Sequence, residues 1–299
     1  RDAGHDAPVP RDELYLEFHR GTYTTQAEVK KRNRALESML GTAEAAAAIA
    51  PGVYPRDSLR TAWHLVLFNQ FHDILAGTSI DSVYEDAALD MTHAADISHR
   101  VLKDALVRIA ARLDTRPPRP GETPYIVFNP SPYRRTDLVH LPRSIGAAVD
   151  DSAGRKLPAA IVDSVLEVLV PSVPALGAEV VFVDGADTPR MGSGETATSS
   201  QRPGSRVLEN ARLRVEIDSR TGNVRRMWDK SRGVSVLLPQ AGQLVLMADR
   251  PKLWDAWNID NLNGARTWVD GDVRVGPVTS TPLGASLTVH RERDSAEVD

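Results

Sequence analysis

The chain contains no cysteine among its 299 residues. Disulfides and thiolate metal ligands are therefore excluded, and any metal would have to be held by nitrogen and oxygen donors. No window approaches the roughly 18 consecutive apolar residues that a membrane-spanning helix needs. The formal net charge is −4, which lacks the basic balance that nucleic acid or an anionic membrane attracts. Neither partner is expected. The first residue is Arg1 and no basic-then-apolar leader follows it. With the lack of thiols, this sets the expectation of a cytoplasmic protein and of a piece cut from a longer chain.

The remaining composition, 41% hydrophobic and 25% charged, is that of a globular chain with enough apolar residues for about two domains of roughly 100–200 residues. Leu14 to His19 alternates like a strand and closes on a Gly-centred turn at Arg20 to Thr25, a form that often rims a site. Thr25 with Glu28 reads as a capping box that opens a helix. Val29, Leu36, Met39, Leu40, Ala43 and Ala47 fall on one face of that helix, while Lys30, Lys31, Arg32 and Arg34 read as its solvated face. A second helix starts at Asp57 or Ser58, with Leu59, Trp63, Leu67, Phe71 and Leu75 as its buried stripe, and ends at Gly77 in the left-handed conformation. A third runs from about Ile80 to Leu113, with His93 and His99 facing solvent. Three such helices predict an antiparallel bundle over 25–114.

Proline and glycine mark residues 115–124 as a linker. Beyond it the apolar period changes from helical to two, and short runs separated by turn residues predict an antiparallel β-sandwich over 125–299. A Gly-, Ser- and Thr-rich stretch at 185–205 is expected to be a flexible insertion. The fold class is thus α+β multidomain: a three-helix bundle followed by a β-sandwich.

The stretch Asn69 to Ile80 stands apart. Near the end of an apolar helix it sets His72 beside Asp73, then breaks at Gly77 and follows with Thr78 and Ser79. A lone histidine there is more often a satisfied core residue. The adjacent carboxylate, the amides of Asn69 and Gln70, and the break that opens the helix end shift the reading to a ligand site. One His and one Asp are too few for a metal, which takes three or four protein ligands. Trp254-Asp255-Ala256-Trp257 has two readings as well: rings and a carboxylate suited to a sugar, or tryptophans in the sandwich core with Asp255 satisfying its own loop.

The segment NQFHDILAGTSI (69–80) resembles the signature of the glycoside hydrolase family 38 α-mannosidases, with Ala76 where that family usually has proline. ELYLEFHRGTYTTQAEVKKRNR resembles the end of that family's catalytic domain, and VFNPSPYRR its entry into the β-domain. LENARLRVEIDSRTGNVRRMWDK and DRPKLWDAWNID resemble the β-domain core, in the same order along the chain. The resemblance implies a retaining, zinc-dependent hydrolase of terminal α-mannosides on oligosaccharides or glycans, with residues 1–24 as the end of its catalytic domain. It implies His72 as a zinc ligand, although another divalent ion would suit the same donors. Asp73, Tyr23 and Asp255 become the expected sugar contacts. The nucleophile and the remaining zinc ligands belong, by the same resemblance, to sequence upstream of Arg1. A non-catalytic carbohydrate-binding or assembly module is the competing reading, and homo-oligomerisation is left open.

Overall fold

The computed structural model describes residues 19–142, 148–162, 164–185, 198–202, 204–237, 241–247, 249–259, 266–268, 272–293 and 296–298. Of the expected strand Leu14–His19, residues 14–18 lie outside them and His19 is not in a strand. The chain divides into two compact units. One comprises Arg1–Ala47, Val53–Lys103 and Met247–Ala265; the other comprises Ala48–Gly52, Asp104–Leu246 and Arg266–Asp299.

The first unit is helical. After a 3-10 turn at Gly21–Tyr23 come α1 (Ala27–Ile49), α2 (Arg56–Phe68), the single turn α3 (His72–Leu75) and α4 (Asp81–Ala110). In α1 the buried residues Val29, Asn33, Leu36, Leu40, Ala43, Ala46 and Ala47 step by three and four, the spacing of one helical face. In α4 the buried residues Ala87, Met91, Ala94, Ile97, Val101 and Ala105 do the same, and His93 and His99 are exposed.

The second helix departs from expectation twice. It stops at Phe68, and the chain turns through Asn69 to Phe71, where Phe71 takes φ −52° and ψ 138° before α3 begins. Its buried residues are Leu59, Ala62, Val66 and Asn69, whereas Leu67, Phe68 and Phe71 are exposed. Polar side chains tie the helices together at this end. The Trp63 indole donates to Glu44 at 3.0 Å, Asn69 Nδ2 to Asp90 at 3.1 Å, and Gln70 Nε2 to Glu37 at 2.9 Å.

The second unit is β-structure. Its first strands are β1 (Glu122–Asn129), β2 (Arg135–Leu141), β3 (Ala148–Asp151), β4 (Lys156–Leu157), β5 (Ala159–Val162), β6 (Val165–Val173) and β7 (Gly177–Asp184). Two antiparallel sheets form, with orders β1-β7-β3-β4 and β2-β6-β5. Alternate residues Leu166, Val168 and Val170 of β6 and Val181 and Val183 of β7 share one core with Leu141, Val149 and Leu157, as the pleat requires when one face of each strand is buried. The sandwich is therefore present. Its first strand begins at Glu122, inside the stretch read as a linker.

Further strands follow: β8 (Thr198–Arg202), β9 (Ser205–Glu209), β10 (Leu213–Asp218), β11 (Val224–Asp229) and β12 (Val234–Ser235), paired in the order β12-β11-β10-β9-β8. The end of the expected flexible insertion is thus a hairpin arm, because backbone pairing to β9 needs no apolar side chains; residues 186–197 lie outside the described set. Near the end of the chain, strands run over Gly284–Ser286 and Val289–Arg293.

Candidate functional site

His72 and Asp73 open α3 and both reach solvent, with side chains 73% and 43% exposed. The core-histidine alternative is thereby excluded. The imidazole Nε2 lies 3.5 Å from Asp73 Oδ2, too far for a hydrogen bond of ordinary length. The Phe71 ring packs against the imidazole with centroids 4.2 Å apart. An exposed imidazole backed by a ring and not consumed by its neighbour fits the role of a metal ligand, beside a carboxylate that suits a cation or a sugar hydroxyl. Among the described residues, no group of three or more His, Asp or Glu is arranged to hold a metal ion. The donor set fits zinc as one part of a site.

The hydroxyl residues after the break turn back on Asp73 and do not open outward. Thr78 Oγ1 donates to Asp73 Oδ1 at 3.1 Å, and Ser79 Oγ donates to the Asp73 carbonyl at 3.0 Å. The Tyr84 hydroxyl accepts the Ser79 N–H at 2.9 Å and lies 3.3 Å from the same carbonyl. Asp73 is therefore fixed from its backbone and from one carboxylate oxygen. Asn69 and Gln70 do not join it: Asn69 is 1% exposed and both amides serve the helix ties above.

Three segments meet at Thr25. Gly21 donates its N–H to the Trp257 carbonyl at 2.9 Å. Thr25 Oγ1 lies 2.8 Å from the Gly21 carbonyl and 2.9 Å from that of Ala256, so its single proton serves both acceptors. Gly77 is buried with φ +90°, and a β-carbon there would stand 2.6 Å from the Thr25 carbonyl oxygen. The closure explains the glycine: only a residue without a side chain fits both the torsion and the contact. The capping box is not formed, since α1 begins at Ala27 and Glu28 instead pairs with Arg32 at 3.0 Å.

The remaining expected site residues sit on these segments. Tyr23 is exposed in the 3-10 turn. Asp255 is exposed and accepts the Ala256 N–H at 3.0 Å. Its flanking tryptophans do not fill the sandwich core. Trp254 is 64% exposed with φ +55°, and Trp257 packs edge-on to His19 at 5.0 Å. Lys30, read as solvated, donates from Nζ to the carbonyls of Thr25 at 2.5 Å and Leu75 at 2.7 Å. Lys31 and Arg34 are solvated as expected, with side chains 81% and 80% exposed. No sequence signal marked Lys30 or Tyr84 as part of this site, because each acts on backbone groups that any residue could supply.

No helix among the described residues is long and apolar enough to cross a membrane. Residues 17–109 match the α-mannosidase middle domain, and residues 208–299 match the C-terminal domain of the glycosyl hydrolases of family 38. The chain is 31% identical over 257 residues to "Alpha-mannosidase 2C1" of Homo sapiens and 30% identical over 257 residues to its Mus musculus namesake. Each alignment covers 83% of this chain and 22% of the relative, so the chain spans about a fifth of the length of these relatives. An α-mannosidase structure from Enterococcus faecalis superposes with a TM-score of 0.70 at 18% identity, over 91% of this chain and 35% of that one, and so shares the fold.

Proposed function

The chain belongs to the glycosyl hydrolase family 38 α-mannosidases through its middle and C-terminal domains, and from that premise we propose that it forms part of a retaining, zinc-dependent enzyme that removes terminal α-mannosyl residues from oligosaccharides or glycans. The observation that carries the reading is the exposed His72–Asp73 pair, held on a one-turn helix by Thr78, Ser79 and Tyr84.

In this reading His72 is one ligand of the zinc, and Asp73 accepts a hydrogen bond from a mannose hydroxyl. Bound zinc would supply Lewis acidity beside a sugar held at this turn, and the reaction passes through an oxocarbenium-like transition state. Asp73 is suited to bind and orient, since its backbone carbonyl and Oδ1 already have donors while Oδ2 faces the imidazole side. Tyr23 and Asp255 stand exposed on segments joined through Thr25, where a ring and a carboxylate can meet a sugar. Retaining hydrolysis needs two carboxyl groups about 5–5.5 Å apart, one as nucleophile and one as acid/base. We place neither in this chain, and assign them with the other zinc ligands to the part of the relatives that this chain does not span.

The test uses the longer protein that contains this chain, assayed on 4-nitrophenyl α-mannoside with NMR to follow the anomer released. Hydrolysis with retention is expected. Asp73→Asn should lower kcat/KM by about 10- to 100-fold, the worth of one hydrogen bond to a charged group. An inactive protein that still binds mannosides would favour the carbohydrate-binding module instead.

A further inference from the structure

We propose that Lys30 is a positioning residue of this site, its ammonium fastening the turn that carries His72 and Asp73 to the turn that carries Tyr23. The inference rests on the functional reading above and deepens it.

Leu75 is the last residue of α3, where carbonyls lack donors from the helix itself. Lys30 Nζ reaches that carbonyl at 2.7 Å and, with a second proton, the Thr25 carbonyl at 2.5 Å. A compact ammonium with three donors on a flexible stem can serve both at once. The Thr25 carbonyl is also the group against which Gly77 is packed, at the point where the chain leaves α3. Thr25 then carries the connection onward through its hydroxyl to Ala256, next to Asp255. One lysine thus closes a ring of contacts linking three segments, each of which bears an exposed candidate ligand of the sugar or metal.

Partial burial lowers the Lys30 pKa below its ordinary value, as desolvation of a cation does. A lysine serving only α1 would pair along the helix, as Arg32 does with Glu28. Lys30 does not touch the reacting atoms; its effect passes through the backbone that sets the direction of His72 and Asp73. A ligand misplaced by about 1 Å through a change away from the chemistry can cost about 100-fold in activity.

The experiment compares Lys30→Met, Lys30→Arg, Thr25→Val and His72→Ala in the longer protein. Zinc affinity by chelator competition, kcat and KM, melting temperature, and peptide-resolved amide exchange are measured. Lys30→Met should weaken zinc binding and lower kcat by about tenfold, and should speed exchange over 72–79 while 87–105 in α4 stays protected. Lys30→Arg should recover most of each loss, and Thr25→Val should move the same readouts by less. The inference is overturned if Lys30→Met lowers only the melting temperature, or if it leaves zinc affinity, kcat and exchange over 72–79 at wild-type values. Should Lys30→Met fail to fold, Lys30→Gln, whose shorter neutral amide cannot replace both ammonium bonds, takes its place, and wild-type zinc affinity and exchange over 72–79 in that variant overturn the inference. Failure of the functional reading looks different: wild type and His72→Ala would then bind zinc equally.

Discussion

Gly77 and Thr25 approach so closely that a β-carbon on Gly77 would lie 2.6 Å from the Thr25 carbonyl oxygen, and Gly77 holds φ +90° as well. Gly77→Ala must therefore bear both a left-handed torsion and a clash with backbone that cannot rotate away. We expect it to lower the unfolding free energy by about 1–3 kcal/mol. Gly41 provides the contrast. It lies exposed inside α1 with open space around its Cα, so Gly41→Ala should stabilise by about 0.5–1 kcal/mol through helix propensity alone. Urea denaturation of both variants checks the pair, and equal effects would contradict the contact.

Tyr84 gives a second prediction. Its hydroxyl takes the Ser79 N–H and lies against the Asp73 carbonyl. Tyr84→Phe keeps the ring and leaves those groups without that partner, so stability should fall by about 1 kcal/mol. Because the lost bond fixes Asp73, KM for an α-mannoside should rise as well. A loss of stability at constant KM would show that Asp73 is held adequately by Thr78 and Ser79.

The third prediction concerns acid. Glu209 at the end of β9 receives Lys230 Nζ and Arg214 Nη1, each at 2.7 Å. The hydrogen bond from Lys230 is the largest cause of its lowered pKa, with the charges of Lys230 and Arg214 adding to it. A carboxylate whose pKa is lower folded than unfolded stabilises the fold above the unfolded value, about 4.3, and that contribution disappears as pH falls through the folded value. The side chain is 26% exposed, so solvent screening holds the effect below about 1 kcal/mol. Glu209→Gln should be less stable than wild type at pH 7 by that margin, and the two should converge on acidification below about pH 4. A difference that persists unchanged at low pH would contradict the ion-pair assignment.

Much of this was legible in the residues, and the failures have physical causes. The change of apolar period after Pro124 located the β-unit, because burial on one face imposes a period of two there and about 3.6 in the helices. His72 and Asp73 were visible as a polar pair where packing gives no reason for one. The stripe of α2 was misread because Leu59, Trp63 and Leu67 advance by four, and each such step drifts roughly 40° around the helix. The true face, Leu59, Ala62, Val66 and Asn69, contains smaller residues and an amide that no hydrophobic count would choose. Trp254 fits either a sugar or a core by its ring alone, and only the fold, which leaves it exposed on a positive-φ loop, removes the core alternative. Thr25 and Lys30 were read through local helix rules, and their partners at Ala256 and Leu75 lie 231 and 45 residues away.

The most direct test of the account is the zinc content, by elemental mass spectrometry, of the longer protein and its His72→Ala variant after extensive dialysis. Ligation by His72 predicts about one zinc per molecule in the wild type and its near-complete loss in the variant, with the fold retained. Equal zinc in both proteins would contradict the assignment of His72, and with it the role given to this turn.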